Sequence, residues 1–143
     1  MIPEINFWAV TLAMLSTMVV GFIWYSSKVF GPYWMKLARI TPTGTLIDAA
    51  KPIMITLVVS FISAWVLAGA VFIAWSFYGG SFLVSSIVTG LVLWAGFTAA
   101  RLITHDAFDN RPRGLTVLNV AHELVTTLVM SLIIGVLPPA LNA

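Results

Sequence analysis

Four long runs of apolar residues, separated by short polar stretches, dominate the chain. They extend from about Ile5 to Tyr25, Ile53 to Phe77, Phe82 to Thr104 and Leu115 to Leu137. A helix of about 20 mostly apolar residues crosses a hydrocarbon core of about 30 Å, so each run predicts one membrane span. In the first three the only charge is Arg101, close to an end; the fourth carries His122 and Glu123. The first run lacks a basic leader segment and ends on bulky Trp24 and Tyr25, so it is expected to be retained. Tyr78-Gly79-Gly80-Ser81 predicts a tight turn between spans two and three. About ten residues around Asp109-Asn110-Arg111-Pro112-Arg113-Gly114 join spans three and four. Gly31-Pro32 opens a mixed aromatic and cationic stretch, Tyr33 to Ile40, which predicts a short interfacial helix. Thr41-Pro42-Thr43-Gly44 breaks it. Thr45 and Asp48 then resemble a capping box, so the second span is expected to begin early and bend at Pro52. The expected fold class is an all-α integral membrane protein. Residues 1–143 form a single domain, a four-transmembrane-helix antiparallel bundle.

Composition sharpens this picture. Apolar residues make up 60% of the 143 positions and charged ones 8%, against about 25% charged in soluble domains. That excludes a soluble monomer, a disordered chain and a nucleic-acid-binding domain. The absence of cysteine removes disulfides, thiolate metal sites and cysteine nucleophiles. Lys28, Lys36, Arg39 and Lys51 fall between spans one and two; Arg101, Arg111 and Arg113 fall at or between the ends of spans three and four. These seven are all the basic residues in the chain. The positive-inside rule then puts both long loops in the cytoplasm and both termini outside. Trp8, Trp75 and Tyr78 are expected in the outer aromatic belt, and Trp24, Tyr25, Tyr33 and Trp34 in the inner one. Small residues repeat every fourth position at Ser60, Ala64 and Ala68, at Gly96 and Ala100, and at Ser131 and Gly135, marking where backbones could approach.

Two strings carry a family resemblance. Gly21-Phe22-Ile23-Trp24-Tyr25-Ser26 followed by Phe30-Gly31-Pro32-Tyr33-Trp34-Met35-Lys36 is the first. Gly90-Leu91-Val92-Leu93-Trp94-Ala95-Gly96-Phe97 followed by Phe108-Asp109-Asn110-Arg111-Pro112 and a polar start to the last helix is the second. Together they resemble a bacterial membrane family catalogued as domain of unknown function 1761. The resemblance covers nearly the whole chain. It implies a compact four-helix domain in a bacterial cytoplasmic (inner) membrane and no established activity, so no catalytic residue is carried over.

The candidate chemistry lies in span four. Asn119, His122, Glu123, Thr126 and Thr127 follow helical spacing and form one polar stripe. Glu123 is nine residues past Gly114, roughly 13 Å along the axis, which places it nearer the bilayer centre than the surface. An ionised carboxylate at mid-membrane costs about 2.5–3.5 kcal/mol on insertion scales, so an intramembrane ionisable group is a functional-site hypothesis by default. Arg101 is the expected partner, because the loop joining spans three and four is short. His122 lies about 100° round the helix from Glu123, so those two side chains need not touch. The alternative is a structural hydrogen-bond network that fixes helix register. Two histidines and three carboxylates (His105, Asp106, Asp109, His122 and Glu123) contain the ligand types for a metal, but none of the usual spaced motifs is present. His105, Asp109 and His122 are the weak metal candidates; Asp106 and Asp109 read more simply as a solvated helix end offsetting Arg111 and Arg113. Trp65 and Trp94 read as helix packing. Thr11, Ser16 and Thr17 are expected to bond back to their own helix.

The residues name no cofactor. The leading function is a small transporter, channel or ligand-binding membrane protein that uses the span-four stripe, through Asn119, His122, Glu123, Thr126 and Arg101. The rivals are an accessory subunit of a larger membrane complex and a membrane enzyme acting on a lipid-soluble substrate, the latter weakened by the lack of a nucleophile. Besides the lipid bilayer, a second copy is the expected partner, a dimer being the first guess. A wet approach to Glu123 favours transport or binding, a lipid-facing slot an enzyme, and a sealed contact a structural role.

Overall fold

The computed structural model of the chain describes residues 3–40 and 46–140. Asn6 starts α1 (Phe7–Trp24): its side-chain oxygen accepts from the backbone N–H groups of Trp8 and Ala9, satisfying two otherwise free donors. After α1 come the short α2 (Gly31–Ala38) and the long α3 (Leu46–Tyr78). The third span is one helical rod from Phe82 to Phe108. It comprises α4 (Phe82–Leu93), a widened π-type stretch at Trp94–Ala99, and α5 (Ala100–Phe108). The last span is α6 (Arg113–Val136). Phe7–Trp24, Ala50–Tyr78, Phe82–Phe108 and Arg113–Val136 are each long and apolar enough to cross a membrane, as the hydrophobic pattern predicts.

One boundary differs from the sequence reading. The third span runs on past Thr104 to Phe108, because nothing there breaks the helix until Asp109 and Asn110. The second begins early, as expected, and Pro52 sits within it. The proposed Thr45–Asp48 cap and the Thr41–Gly44 break lie outside the described residues. The eight-residue α2 occupies the expected stretch, with Pro32 in its first turn.

Neighbours in sequence are neighbours in space. α1 packs on α3, α3 on α4, α4 on α6, and α6 returns to α1, closing the ring. The contacts rest on small residues, since lipid gives apolar helices no reason to prefer one another. Ala9, Val10, Ala13, Ala64, Leu67, Ala68, Val71, Met130 and Ile134 form the core. Ala64 and Ala68, from the first small-residue repeat, are buried there, and Ser60 accepts a hydrogen bond from Thr17 at 3.0 Å. Ser131 and Gly135 face α4, where Ser86 donates to the Ser131 carbonyl at 2.6 Å. The Gly96–Ala100 repeat is exposed.

The ends are tied by polar contacts. Asn6 donates to the Leu137 carbonyl at 3.3 Å, locking the start of α1 to the end of α6. Gly79 and Gly80 adopt φ of 70° and 80°, where a side chain would be strained, and Trp75 donates to the Gly80 carbonyl at 2.9 Å. Thr11, Ser16 and Thr17 bond back to Phe7, Ala13 and Met14 carbonyls, as expected. Trp65 corrects the packing expectation. It is 47% exposed, on the outer face of α3, where lipid is an adequate partner for a large apolar ring.

Close packing of α4 on α6 gives a direct test. A Cβ added at Gly135 would stand 3.0 Å from the Leu83 Cα, whereas one at Gly96 would meet nothing within 4 Å. Gly135→Ala should lower stability by about 1–3 kcal/mol in an SDS unfolding titration, and Gly96→Ala should leave it unchanged.

Candidate functional site

Two contacts set the register of α6 against α1. Asn6 meets Leu137, and His122 Nε2 lies 3.9 Å from where a Gly21 Cβ would be. These contacts are fifteen residues apart along both helices, about 22 Å, so the two helices keep step. Four residues back from Gly21 is Thr17, and four beyond His122 is Thr126. The two buried hydroxyls are therefore level, about 16 Å from Asn6, near the middle of a span of about 30 Å.

His122 is enclosed. Its side chain is 13% exposed and packs against two rings from the end of α1. Trp24 lies edge-on at 5.7 Å between centroids, and Tyr25 is tilted at 5.0 Å. Those rings rest in turn on Phe30, at 4.7 Å from Trp24, and on Trp34 of α2, at 5.2 Å from Tyr25. The local chain explains the arrangement. α1 stops at Trp24, and the tight path to α2 brings Gly31 against the Tyr25 and Ser26 carbonyls, too close for any side chain. That folds α2 back onto α6, where Tyr33 and Leu37 border Gly114.

His122 Nδ1 and Glu123 Oε1 are 3.4 Å apart, a long contact. This corrects the expectation that the pair splays apart. Arg101 is exposed and makes no ion pair with a carboxylate among the described residues, so the expected Arg101–Glu123 pairing is not formed. The first turns of α6 project past the end of α1 to meet α2 and α5. Side chains lean toward a helix's N-terminus, so the carboxylate stands beside the last turn of α1. Its side chain is 42% exposed. The sealed contact thus belongs to His122 and the open one to Glu123.

Among the described residues, four buried side-chain polar atoms have no hydrogen-bond partner: Trp24 Nε1, His122 Nε2, Thr126 Oγ1 and Ser131 Oγ. The first three cluster where α1 and α6 meet. Asn119, one turn from His122, is partly exposed. On the other flank of α6, the Trp94 indole donates to the Val120 carbonyl at 3.2 Å, so the π-type stretch is pinned beside the same turn.

The remaining polar group is a clip. Asp106 is buried, accepts from the Thr116 hydroxyl at 2.7 Å and lies 3.9 Å from Arg111, which is 3.5 Å from Asp109. Asp106 is therefore not solvated as expected, whereas the expected offset of Arg111 by Asp106 and Asp109 is formed. Thr116 lies ten residues along the chain and becomes a partner only when α5 and α6 fold back on each other. Among the described residues, His105, Asp109 and His122 do not gather into a group of three or more metal-ligating side chains. Sequence reasoning placed Trp24, Tyr25 and Trp34 in an interfacial belt and did not single out Gly21 as a neighbour of His122. The signal was present in the string from Gly21 to Ser26, where one small residue precedes two large rings.

The family model described as protein of unknown function (DUF1761) matches residues 8–135, and the chain belongs to that family. No curated protein and no solved structure matches the chain.

The clip and the carboxylate should respond differently to mutation. Thr116→Val removes a hydrogen bond to a buried carboxylate and should cost about 1–3 kcal/mol. Glu123→Gln replaces a half-open group whose one partner is a long contact and should cost less than about 1 kcal/mol. SDS titration of the two variants beside wild type measures both.

Proposed function

We propose that this chain is a small multi-pass ligand-binding membrane protein of the transporter type, with its site where α6 meets the end of α1. The observation that carries this reading is the group of unpartnered buried atoms, Trp24 Nε1, His122 Nε2 and Thr126 Oγ1. Buried polar atoms in native proteins nearly always have a partner, and leaving one unmade costs about 1–3 kcal/mol. Three such atoms around one turn of helix, beside an ionisable Glu123, are what a site for water or a polar solute provides. His122, Glu123 and Thr126 supply the hydrogen-bonding groups, and Asn119 extends the stripe toward the α2 end. Arg101 is dropped from the site, since it makes no ion pair with Glu123.

Orientation is part of the proposal. α2, the α5–α6 turn and the first turns of α6 share one end of the bundle, and the seven basic residues all belong to segments at or near that end. The positive-inside rule supports placing that end in the cytoplasm and the Asn6–Leu137 end outside, in a bacterial cytoplasmic membrane. Single cysteines at Ser81 and Asn110 should then be labelled from opposite faces of intact cells, Ser81 from outside. Labelling of both from one face would remove the four-span topology.

One observation favours a structural role instead: ring packing closes His122 to 13% exposure. The chain has no native cysteine, so a single substitution separates the two. Thr126→Cys in proteoliposomes should react with a membrane-impermeant methanethiosulfonate much faster than Val66→Cys on the outward face of α3. An unreactive Thr126→Cys would mean that the interior is sealed, and the structural reading would stand.

A further inference from the structure

The ring cluster and the carboxylate together indicate the class of ligand. Glu123 has no cationic partner of its own. Among the described residues the ion pairs join Arg111 to Asp106 and to Asp109, and Glu123 meets only the imidazole of His122. Its carboxylate is open at the flank of the bundle, beside the last turn of a helix that is apolar along its length. Its neighbour His122 is packed into a connected set of four aromatic rings: Trp24 and Tyr25 both lie against His122, Phe30 lies on Trp24, and Trp34 on Tyr25. Each keeps part of its surface accessible, Phe30 most of all.

We propose that this cluster, Glu123 with Trp24, Tyr25, Phe30 and Trp34, binds a lipophilic organic cation. The proposal rests on the binding reading above and specifies its ligand. Each half of the arrangement selects for positive charge. Aromatic faces attract a cation within about 6 Å of the ring centroid, more strongly where water is scarce. A carboxylate supplies the counter-charge, and its pull grows as the surrounding dielectric falls. Of the deeper unpartnered atoms, His122 Nε2 and Thr126 Oγ1 can accept a hydrogen bond, and Trp24 Nε1 can only donate, so the sign of the ligand is set by the carboxylate and the ring faces. A hard metal cation fits poorly: it needs six or more oxygen ligands, and here one carboxylate stands among rings. An anion meets the same carboxylate as a repulsion. An apolar body attached to the charge matches both the rings and the lipid beside them.

The test uses tetraphenylphosphonium, with tetraphenylborate as the probe of similar shape and opposite charge. Both are titrated calorimetrically into the detergent-purified full chain. The expected result is saturable binding of the cation and none of the anion. Glu123→Gln should weaken the cation at least about tenfold. Trp34→Leu, which leaves the carboxylate in place, should weaken it as well, and Glu123→Asp should restore part of the loss. Equal affinity for wild type and Glu123→Gln, binding of both probes alike, or no cation binding to wild type would overturn the proposal. Should Glu123→Gln aggregate, Trp34→Leu and Glu123→Asp decide the outcome: cation affinity unchanged in both overturns it. Reactive Thr126→Cys together with no cation binding would leave the ligand-binding reading standing and remove only the ligand class.

Discussion

The arrangement depends on one helix, α6, being held in register from both sides. Lipid offers no hydrophobic drive to bring apolar helices together, so position must come from close backbone approach and from hydrogen bonds. α6 has both. Gly135 lets α4 approach to backbone distance, and the Ser131 carbonyl accepts the Ser86 hydroxyl. Asn6 fixes one end through the Leu137 carbonyl, and Thr116 fixes the other through Asp106. With both ends tied, a slip of even one residue would rotate the stripe by about 100° and carry His122 away from Gly21. The site is therefore a consequence of contacts made far from it.

The four spans were legible because the signal is a bulk one. Twenty apolar residues in a row read the same in any context, and Gly79-Gly80 marks a turn by backbone conformation alone. The polar stripe on α6 was legible for a similar reason, since residues at 119, 122, 123 and 126 share a face of one helix whatever its neighbours do. What the sequence could not supply is which helix that face meets. Arg101 was a reasonable partner for Glu123 by loop length, yet the face of α6 that carries His122 meets α1 across a separation of about a hundred residues.

Aromatic residues show the limit of composition-level reading most clearly. Trp24, Tyr25 and Trp34 fit an interfacial belt by position, and they do lie near one end of the bundle. Their role in the fold follows from Gly31, whose missing side chain lets the chain double back after α1. A larger residue there would keep α2 from α6 and leave the rings facing outward. The belt and the cluster are the same residues, and the difference between them is one tight turn.

That turn also explains how an ionisable pair is tolerated at this depth. A carboxylate at mid-membrane would need a buried cation or a raised pKa to be stable. Glu123 stands beside the end of α1, a short helix of 18 residues (about 27 Å), and its side chain is 42% exposed. His122, on the inner side of the same turn, is packed under rings and gives its Nδ1 face to that carboxylate, leaving Nε2 directed at Gly21. If Nδ1 carries the proton toward Glu123, the neutral ring presents Nε2 as an acceptor. The pair thus converts an open carboxylate at the edge of the span into an accepting nitrogen one layer deeper. With the hydroxyls of Thr126, Thr17 and Ser60 beyond it, the polar groups follow the seam of α1 and α6 inward, and their order along that seam is set by the same contacts that lock the helix register.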